Sequence, residues 1–577
     1  MRLLRIVCLL LVAQGIAWEP ARAQQTDSSS KDSKVSAEVK ALREALSQTE
    51  KKVASQQQEI EWLQQNLNDR QQATAPSVSN ELQSERAIGT DKYVTTLLDS
   101  QPATSRSGAN VGTQSKGSES HDRGTQQESS LSSFKIDDAV LTVGGFVDFE
   151  NIFRTTNTQN NIATAFAAIP FSNTTQGRLT EFRSTAQYSR LNLKVTDKFG
   201  GNDLLGYIEG DFSGNDAPGV YQTVNGHTNR LRLYFMDWKR GKWEFLGGQT
   251  WSWLTPNRRG LGPMPTDLAI TYNEDQNIGV GLPYTRAAEF RVAYHPNDHW
   301  AMGVGIENPN QFIGGFVALP AAFSTTLSPQ FDNGSQIGAP NLFPDILSKI
   351  AYDTTLGARH FHFEVTGLLT GVRTGITPVG GKSFSSNSVI GGGGQIALNY
   401  ELRHNLLFLA NGFWSDGGAR YLVATGPQVV IRPNAAGTNV APSMVHSGAG
   451  MVGLEWIATP KTALAVYCGA NYFRRNFFAD TTDTAHPNTI IGYGGPGSPN
   501  TNNRAIQEVM VDWIQTFWKH AKYGAVQYYT QYSYLTRAPW FVAPGTPKNA
   551  HLSMVYAGIR YVLPSTSGTL QHVPYPN

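Results

Sequence analysis

The sequence predicts an all-β chain: a 16-stranded antiparallel transmembrane β-barrel with an N-terminal periplasmic α-helical coiled coil. Three observations predict it. Over 134–563 the chain divides into about sixteen segments of roughly 8 to 14 residues in which apolar and polar side chains alternate. The connectors between those segments are short and long in turn. No stretch supplies the ~18 consecutive apolar residues that a membrane-crossing helix needs, so a spanning structure has to be a closed barrel.

The first element is a signal peptide, 1–23. Met1-Arg2-Leu3-Leu4-Arg5 is basic, Ile6 to Ala17 is apolar but too short to span a bilayer, and Ala21-Arg22-Ala23 offers a small-x-small cleavage site. The chain is therefore expected to be exported. Its two cysteines are Cys8, inside the leader, and Cys468, which leaves one thiol and no internal disulfide after cleavage. Charged residues make up 16% of the chain, against about 25% in a typical soluble protein. The 56 Gly and 22 Tyr suit tightly turned strands and interfacial girdles. A net charge of +2 with no basic tail argues against a nucleic-acid partner.

A heptad seam follows, over 34–70. Val39, Leu46, Val53, Ile60 and Leu67 take one core position; Val35, Leu42, Thr49, Gln56 and Leu63 take the other. The stripe is narrower than that of a helix lying on a surface, which favours a parallel coiled coil. The core residues do not fix the strand number, and a homotrimer is expected only because of the barrel behind it. The next segment, 71–133, is rich in Ser, Gln, Thr, Gly and Asn and reads as a flexible linker.

In the barrel, strands are expected at 140–151, 187–197, 204–213, 229–239, 242–250, 286–295, 299–308 and 346–355, then at 359–371, 389–402, 405–414, 446–458, 462–473, 504–517, 523–535 and 550–563. Connectors after even-numbered strands are tight, as in His295-Pro296-Asn297-Asp298, Arg403-His404 and Thr459-Pro460-Lys461; those after odd-numbered strands are mostly long. Outer-membrane barrels sort their loops this way, whereas a soluble sandwich has no reason to. The parity places the N-terminus beside the short turns, with coiled coil and linker in the periplasm within reach of peptidoglycan. The last strand, Tyr556-Ala557-Gly558-Ile559-Arg560-Tyr561-Val562-Leu563, resembles the C-terminal insertion signal of barrels in the bacterial cell outer membrane, followed here by a tail, 564–577.

No catalytic constellation stands out, and neither an enzymatic activity nor a cofactor is expected. His360 and His362 form the one close histidine pair of interest; with no third ligand beside them they read as polar lumen residues rather than a metal site. Arg190 and Lys194 on the second strand and Arg230 and Arg232 on the fourth are expected to point inward, because Leu191, Leu193, Leu231, Leu233 and Phe235 take the outward positions. Glu209 and Asp211 lie on the strand between them. Two readings stand: an anion-attracting wall, or cross-strand salt bridges. The third long connector, Trp251 to Thr285, opens with Gln249-Thr250-Trp251-Ser252-Trp253 and carries Arg258 and Arg259. It reads either as a loop folded into the lumen, with Asp267, Glu274 and Asp275 as counter-charges, or as a solvated loop tip.

Arg190 with its alternating strand, Tyr207-Ile208-Glu209-Gly210-Asp211-Phe212, Arg230-Leu231-Arg232-Leu233-Tyr234 and Gly248-Gln249-Thr250-Trp251-Ser252 together resemble the DcaP-like porin family over 187–255. The resemblance implies a trimeric sixteen-stranded barrel behind a periplasmic coiled coil, uptake of small anions such as dicarboxylates, and Arg190, Arg230 and Arg232 at the constriction. The expected pore-lining set is Arg190, Lys194, Glu209, Asp211, Arg230, Arg232, Gln249, Trp251, Arg258 and Arg259. The chain thus reads as an outer-membrane porin for passive diffusion of small hydrophilic, anionic solutes. One alternative is a sugar-selective porin with Trp251 and Trp253 as a stacking track and with Glu364, Glu401, Glu455, Glu508 and Asp512 on the far wall. Another is a structural anchor tethered to the cell wall through the coil.

Overall fold

The computed structural model describes residues 133–160, 162–214, 226–263, 278–334, 341–486 and 488–564. The expected signal peptide and coiled coil lie outside the described residues, as do 71–132 of the linker, 565–577 of the tail, and Asp267, Glu274 and Asp275.

Sixteen long strands form one sheet: β1 (Ala139–Arg154), β2 (Arg190–Phe199), β3 (Asn202–Asp211), β4 (Arg230–Arg240), β5 (Trp243–Trp251), β6 (Arg286–Tyr294), β7 (Trp300–Glu307) and β8 (Asp345–Leu356), then β9 (Arg359–Ile376), β10 (Ser385–Arg403), β11 (Leu406–Asp416), β12 (His446–Thr459), β13 (Thr462–Phe473), β14 (Asn503–His520), β15 (Gly524–Pro539) and β16 (Ala550–Val562). Each pairs antiparallel with the next, and β1 pairs with β16 from Phe146↔Val562 to Arg154↔Met554, which closes the barrel. Two short strands, Ser133–Ile136 and Glu181–Thr185, pair only with β1. The sixteen strands lie where the alternation places them, the main differences being that β9 runs on to Ile376 and β10 begins at Ser385.

Side-chain alternation decides which face is which. Along β9, His360, His362, Glu364, Thr366 and Thr370 are buried, while Val365 and Leu369 are exposed. The same inversion repeats around the sheet, with Leu191, Val304, Ile350, Ile396 and Ile559 about half exposed on the outside. A soluble sandwich would bury that face; an apolar outside around a polar inside is the lipid-facing arrangement. Aromatic rings edge the apolar band at both ends. Trp243 on Tyr294, Trp300 on Tyr352, and Trp518 with His520 and Tyr523 mark the short-turn end. Trp414 with His446 and Tyr472 with Trp540 mark the long-connector end. Tyr472 pairs with Ala505 on β14, and positions 505 and 518 are 13 residues apart. At about 3.3 Å per residue and a tilt of about 45°, that separates the belts by about 30 Å, the thickness of a hydrocarbon core.

One face assignment from the sequence is overturned. At β3–β4, Glu209 pairs with Leu233 but Gly210 pairs with Leu231, so Arg232 is an extra, bulged residue. A bulge shifts side-chain parity by one. Leu231 is outward as expected, but beyond the bulge Leu233 and Phe235 turn inward, 1% and 5% exposed, and Tyr234 takes the outer face at 39%. Phe235 stacks on the inward ring of Tyr207 at 5.6 Å. Simple alternation through a bulge places these residues on the wrong face.

The long connectors carry structure of their own. Two hairpins, Val429–Pro433 with Val440–Met444 and Asn476–Ala479 with Ile490–Tyr493, rise after β11 and β13. Phe323, Leu327 and Phe331 of the connector after β7 pack with Val372, Val429 and Ile431 into a second apolar cluster at that end.

Gly145 on β1, at φ +128°, lets β1 and β2 close up: a Cβ there would sit 2.0 Å from the Arg190 carbonyl oxygen. Its own carbonyl accepts from Leu563 N–H at 3.0 Å. Gly145→Ala is expected to cost at least about 2 kcal/mol, read as a lower urea midpoint of the refolded barrel. An unchanged midpoint would show that β1 and β2 can part here at no cost.

Candidate functional site

The third long connector, of which 252–263 and 278–285 are described, lies inside the barrel against its wall. Leaving β5, it runs along the inner wall of β7 to β10. Trp253 N–H donates to Glu307 Oε1 at 3.0 Å, and Asn257 N–H donates to both oxygens of Glu364 at 3.2 Å. Lys349 Nζ lies 2.9 Å from Glu364 and donates to Thr255 O and Asn257 Oδ1, while Asn399 Nδ2 donates to Asn257 O. Gly260 N–H reaches Asp353 Oδ2 at 2.9 Å. Arg258 extends to β12, forming a two-pronged pair with Glu455 at 2.7 and 2.5 Å.

The returning half lies against β11 to β14. Val280 N–H donates to Glu508 Oε2 at 3.0 Å, Gly281 N–H to Asn471 Oδ1 at 2.9 Å, and Asn411 Nδ2 to Gly281 O at 2.9 Å. Backbone meets backbone here. A Cβ on Gly469 would fall 1.7 Å from Val280 O, and one on Gly281, at φ +98°, would fall 2.2 Å from Gly450 O. Only glycine permits this approach. Tyr284 N–H then donates to Tyr421 O, in the connector after β11. Burial pushes the Tyr421 phenol well above its ordinary pKa, so it remains a donor to Asp345 Oδ2 at 2.8 Å and Glu307 Oε2 at 3.3 Å.

The far-wall acids therefore hold the loop. Glu364, Glu455 and Glu508 each receive a loop donor, and Glu401 accepts from His360 N–H at 3.0 Å. His362 bridges Asp353 and Glu364 through its two ring nitrogens at 3.0 and 3.2 Å. Asp512 is buried in the same wall.

Opposite stands a lattice of arginines. Arg232 donates to Glu209 at 2.8 Å and to Asp211 at 3.0 Å; Arg230 grips Asp211 with two nitrogens at 2.9 and 2.7 Å; Arg190 lies 3.7 Å from Glu209, whose second oxygen accepts from Tyr207 OH at 2.8 Å. Of the two readings of this wall, the cross-strand salt bridges are what the geometry shows. The acids pair across the ladder, and with Arg560, Asp148 and Glu150 of the β16–β1 side counted, four guanidiniums stand with four carboxylates. The side chains of Arg190 and Arg232 are 0% exposed and that of Arg230 is 12%, so Arg230 is the one that presents charge to water. Lys194 is half-buried, and among the described residues no carboxylate pairs with it.

The remaining expected residues are placed as follows. Trp251 and Trp253 are each 2% exposed. Arg232 and Arg286 lie over Trp251, both at 5.9 Å, and Arg291 lies over Trp253 at 5.2 Å. Rings covered in this way cannot serve as a sugar-stacking track. Gln249 is not on the lumen face: it pairs across the ladder with outward Tyr234, and its amide nitrogen caps the carbonyl of bulged Arg232 at 2.8 Å. Arg259 is half-buried beside the Arg258–Glu455 pair in sequence.

Sequence reasoning passed over the β16–β1 side of the lattice. Arg560 binds Asp148, Tyr529 OH donates to Asp148 and Glu150 at 2.9 and 2.8 Å, and Arg560 and Arg190 lie over the Phe146 ring at 4.3 and 5.1 Å. The alternation Phe146, Asp148, Glu150, Ile152, Arg154 along β1 is the signal that pointed there.

The chain matches no protein-family model and no curated protein sequence. Among solved structures it is similar to the outer membrane channel DcaP of Acinetobacter baumannii, with 17% identity and a TM-score of 0.52 over 75% of this chain and 100% of that one. Salmonella typhi OmpF follows at 11% identity and a TM-score of 0.42, over 75% and 100%. Pseudomonas putida OprB stands at 11% and 0.39, over 73% and 94%. The likeness to DcaP is one of fold: a sixteen-stranded antiparallel β-barrel shared along the whole length of that channel.

Proposed function

We propose that this chain is a DcaP-like porin of the bacterial outer membrane that passes small hydrophilic anions by diffusion through each barrel of a homotrimer. The observation that carries the reading is the third long connector, bonded across the lumen to the far wall. It narrows a closed barrel to a slit bordered on one side by an arginine-rich lattice. The four guanidiniums and four carboxylates of the whole lattice cancel, which leaves half-buried Lys194 as the surplus positive charge and Arg230 as the lattice cation that meets water; a low-dielectric wall focuses that charge on whatever permeates. No step in this reading consumes energy, so selectivity is a matter of charge and aperture. The long connectors then face outward, and the N-terminal segment belongs to the periplasm.

Planar-bilayer recording tests the proposal. Conductance in steps of three supports a trimer of pores, and a folded but silent barrel overturns the reading. Reversal potentials in a KCl gradient test the anion preference. Lys194→Gln with Arg230→Gln is expected to lower the anion-to-cation permeability ratio severalfold while leaving the fold intact, since these two side chains meet water. If the ratio does not move, the lattice is a brace and not a selector.

Arg190→Gln and Arg232→Gln should behave differently. Each leaves a buried carboxylate short of its partner, an expected cost of about 3 kcal/mol, read as a lower urea midpoint before any change in selectivity.

Glu364→Gln tests the loop. It removes the charge shared by Lys349 and Asn257 N–H, an expected loss of about 2 kcal/mol, which corresponds to about 30-fold more time with the loop detached. Single channels should then flicker between two conductance levels; unchanged traces would show that the loop does not set the aperture.

A further inference from the structure

At the long-connector end of the barrel, on its outer side, a group of cations is left over by everything described so far. Arg475 lies over the ring of Trp540 with its Cζ 5.5 Å from the centroid, and Arg504 lies over the same ring at 5.9 Å. Arg475 also lies over Phe477, at 5.9 Å. Both side chains belong to exposed residues, as does the adjoining Arg474. Among the described residues none of the three arginines pairs with a carboxylate, whereas every arginine of the lumen lattice does.

The platform beneath them is rigid. Trp540 donates its backbone N–H to Asn502 O and its indole N–H to Phe473 O, both at 2.9 Å, and meets Tyr472 edge-on at 6.2 Å. Tyr472 belongs to the outer aromatic belt, which fixes the group at the boundary between the apolar band and the exterior. Gly494, at φ +72°, lets indole and arginine close up: a Cβ there would meet Trp540 Cδ1 at 2.5 Å and Arg475 Cβ at 2.9 Å. Arg504 is the extra residue of a bulge, since Asn503 pairs with Pro539 and Ala505 with Ala538. The bulge turns an otherwise buried-face position toward the ring.

Two exposed guanidiniums within about 6 Å of one indole centroid, neither paired with a carboxylate among the described residues, raise the local positive potential, and the ring quadrupole offsets only part of it. An anion bound beside them offsets that potential. At this depth the anion has to be attached to something apolar, because Tyr472 and the half-exposed band below continue directly into the hydrocarbon region. We infer that Arg475, Arg504 and Trp540 form a binding site for the phosphate of a lipid headgroup in the outer leaflet, with the arginines taking the phosphate oxygens and the aromatic belt taking the first segment of an acyl chain. The site is separate from the lumen. It rests on the reading of the long connectors as external.

The test is binding of bisphosphorylated lipid A to the refolded full chain in uncharged detergent, followed by native mass spectrometry. The wild type is expected to retain the lipid, and Arg475→Gln with Arg504→Gln to bind it at least about tenfold more weakly. Lys519→Gln with Lys522→Gln removes the same charge from the short-turn end and is expected to change nothing. Lipid A stripped of both phosphates should bind the wild type as weakly as the intact lipid binds the arginine variant, and inorganic phosphate at the same concentration should not bind. Equal binding by the arginine variant, an equal loss in the lysine variant, retention of the dephosphorylated lipid, or binding of free phosphate as tight as that of the lipid would each overturn the inference. The readout does not depend on conduction. A channel that conducts without binding sinks this site alone, and one that binds while silent sinks the pore alone.

Discussion

A peptide group inside a bilayer has no water to bond, so every N–H and C=O of a crossing segment needs a partner within the protein. For a sheet that demand is met only if the last strand finds the first, and the rest of this molecule depends on the β1–β16 seam where it does. Once the sheet is closed, alternate side chains have no choice but to divide between lipid and lumen. The lumen then inherits nearly all of the charge in the strands. Charges confined to a narrow space must be paired or bonded, which is why acids and arginines of the inner wall form lattices instead of scattering.

The two halves of the lumen solve that problem in different ways. Around β1 to β4 and β16, carboxylates are matched to guanidiniums of neighbouring strands, and aromatic rings lie against the cations. From β7 to β14 carboxylates outnumber wall cations, and donors from the third long connector fill the gap. The loop is thus part of the electrostatic balance of the wall. Removing it would take a donor from each of several buried acids, at a cost of about 1 to 3 kcal/mol apiece.

Much of this was legible from the sequence. Sixteen strands, their order and the parity of their connectors follow from the period-two pattern, because burial on one side of a closed sheet leaves that pattern nowhere to fade. The inward Arg230 and Arg232 were legible for the same reason. Leu233 and Phe235 were not, since a one-residue bulge at Arg232 resets parity and carries no local sequence mark. The pairing of Arg258 with Glu455, 197 residues away, was invisible as well. Opposite charges on a loop and on a distant strand look the same in sequence whether they meet or not, and only the path of the loop decides.

That path has a consequence for how such a channel changes over time. Trp253, Asn257, Gly260, Val280 and Gly281 are all held through their main-chain N–H groups, by side chains of the wall. Most residues can supply an N–H. The side chains at Trp253 and Val280 can therefore vary without undoing these contacts, while Glu307, Glu364, Asp353, Glu508 and Asn471 cannot. Mutation is free to retune what the slit admits by altering the loop, and descendants with different diets would share an unaltered grip.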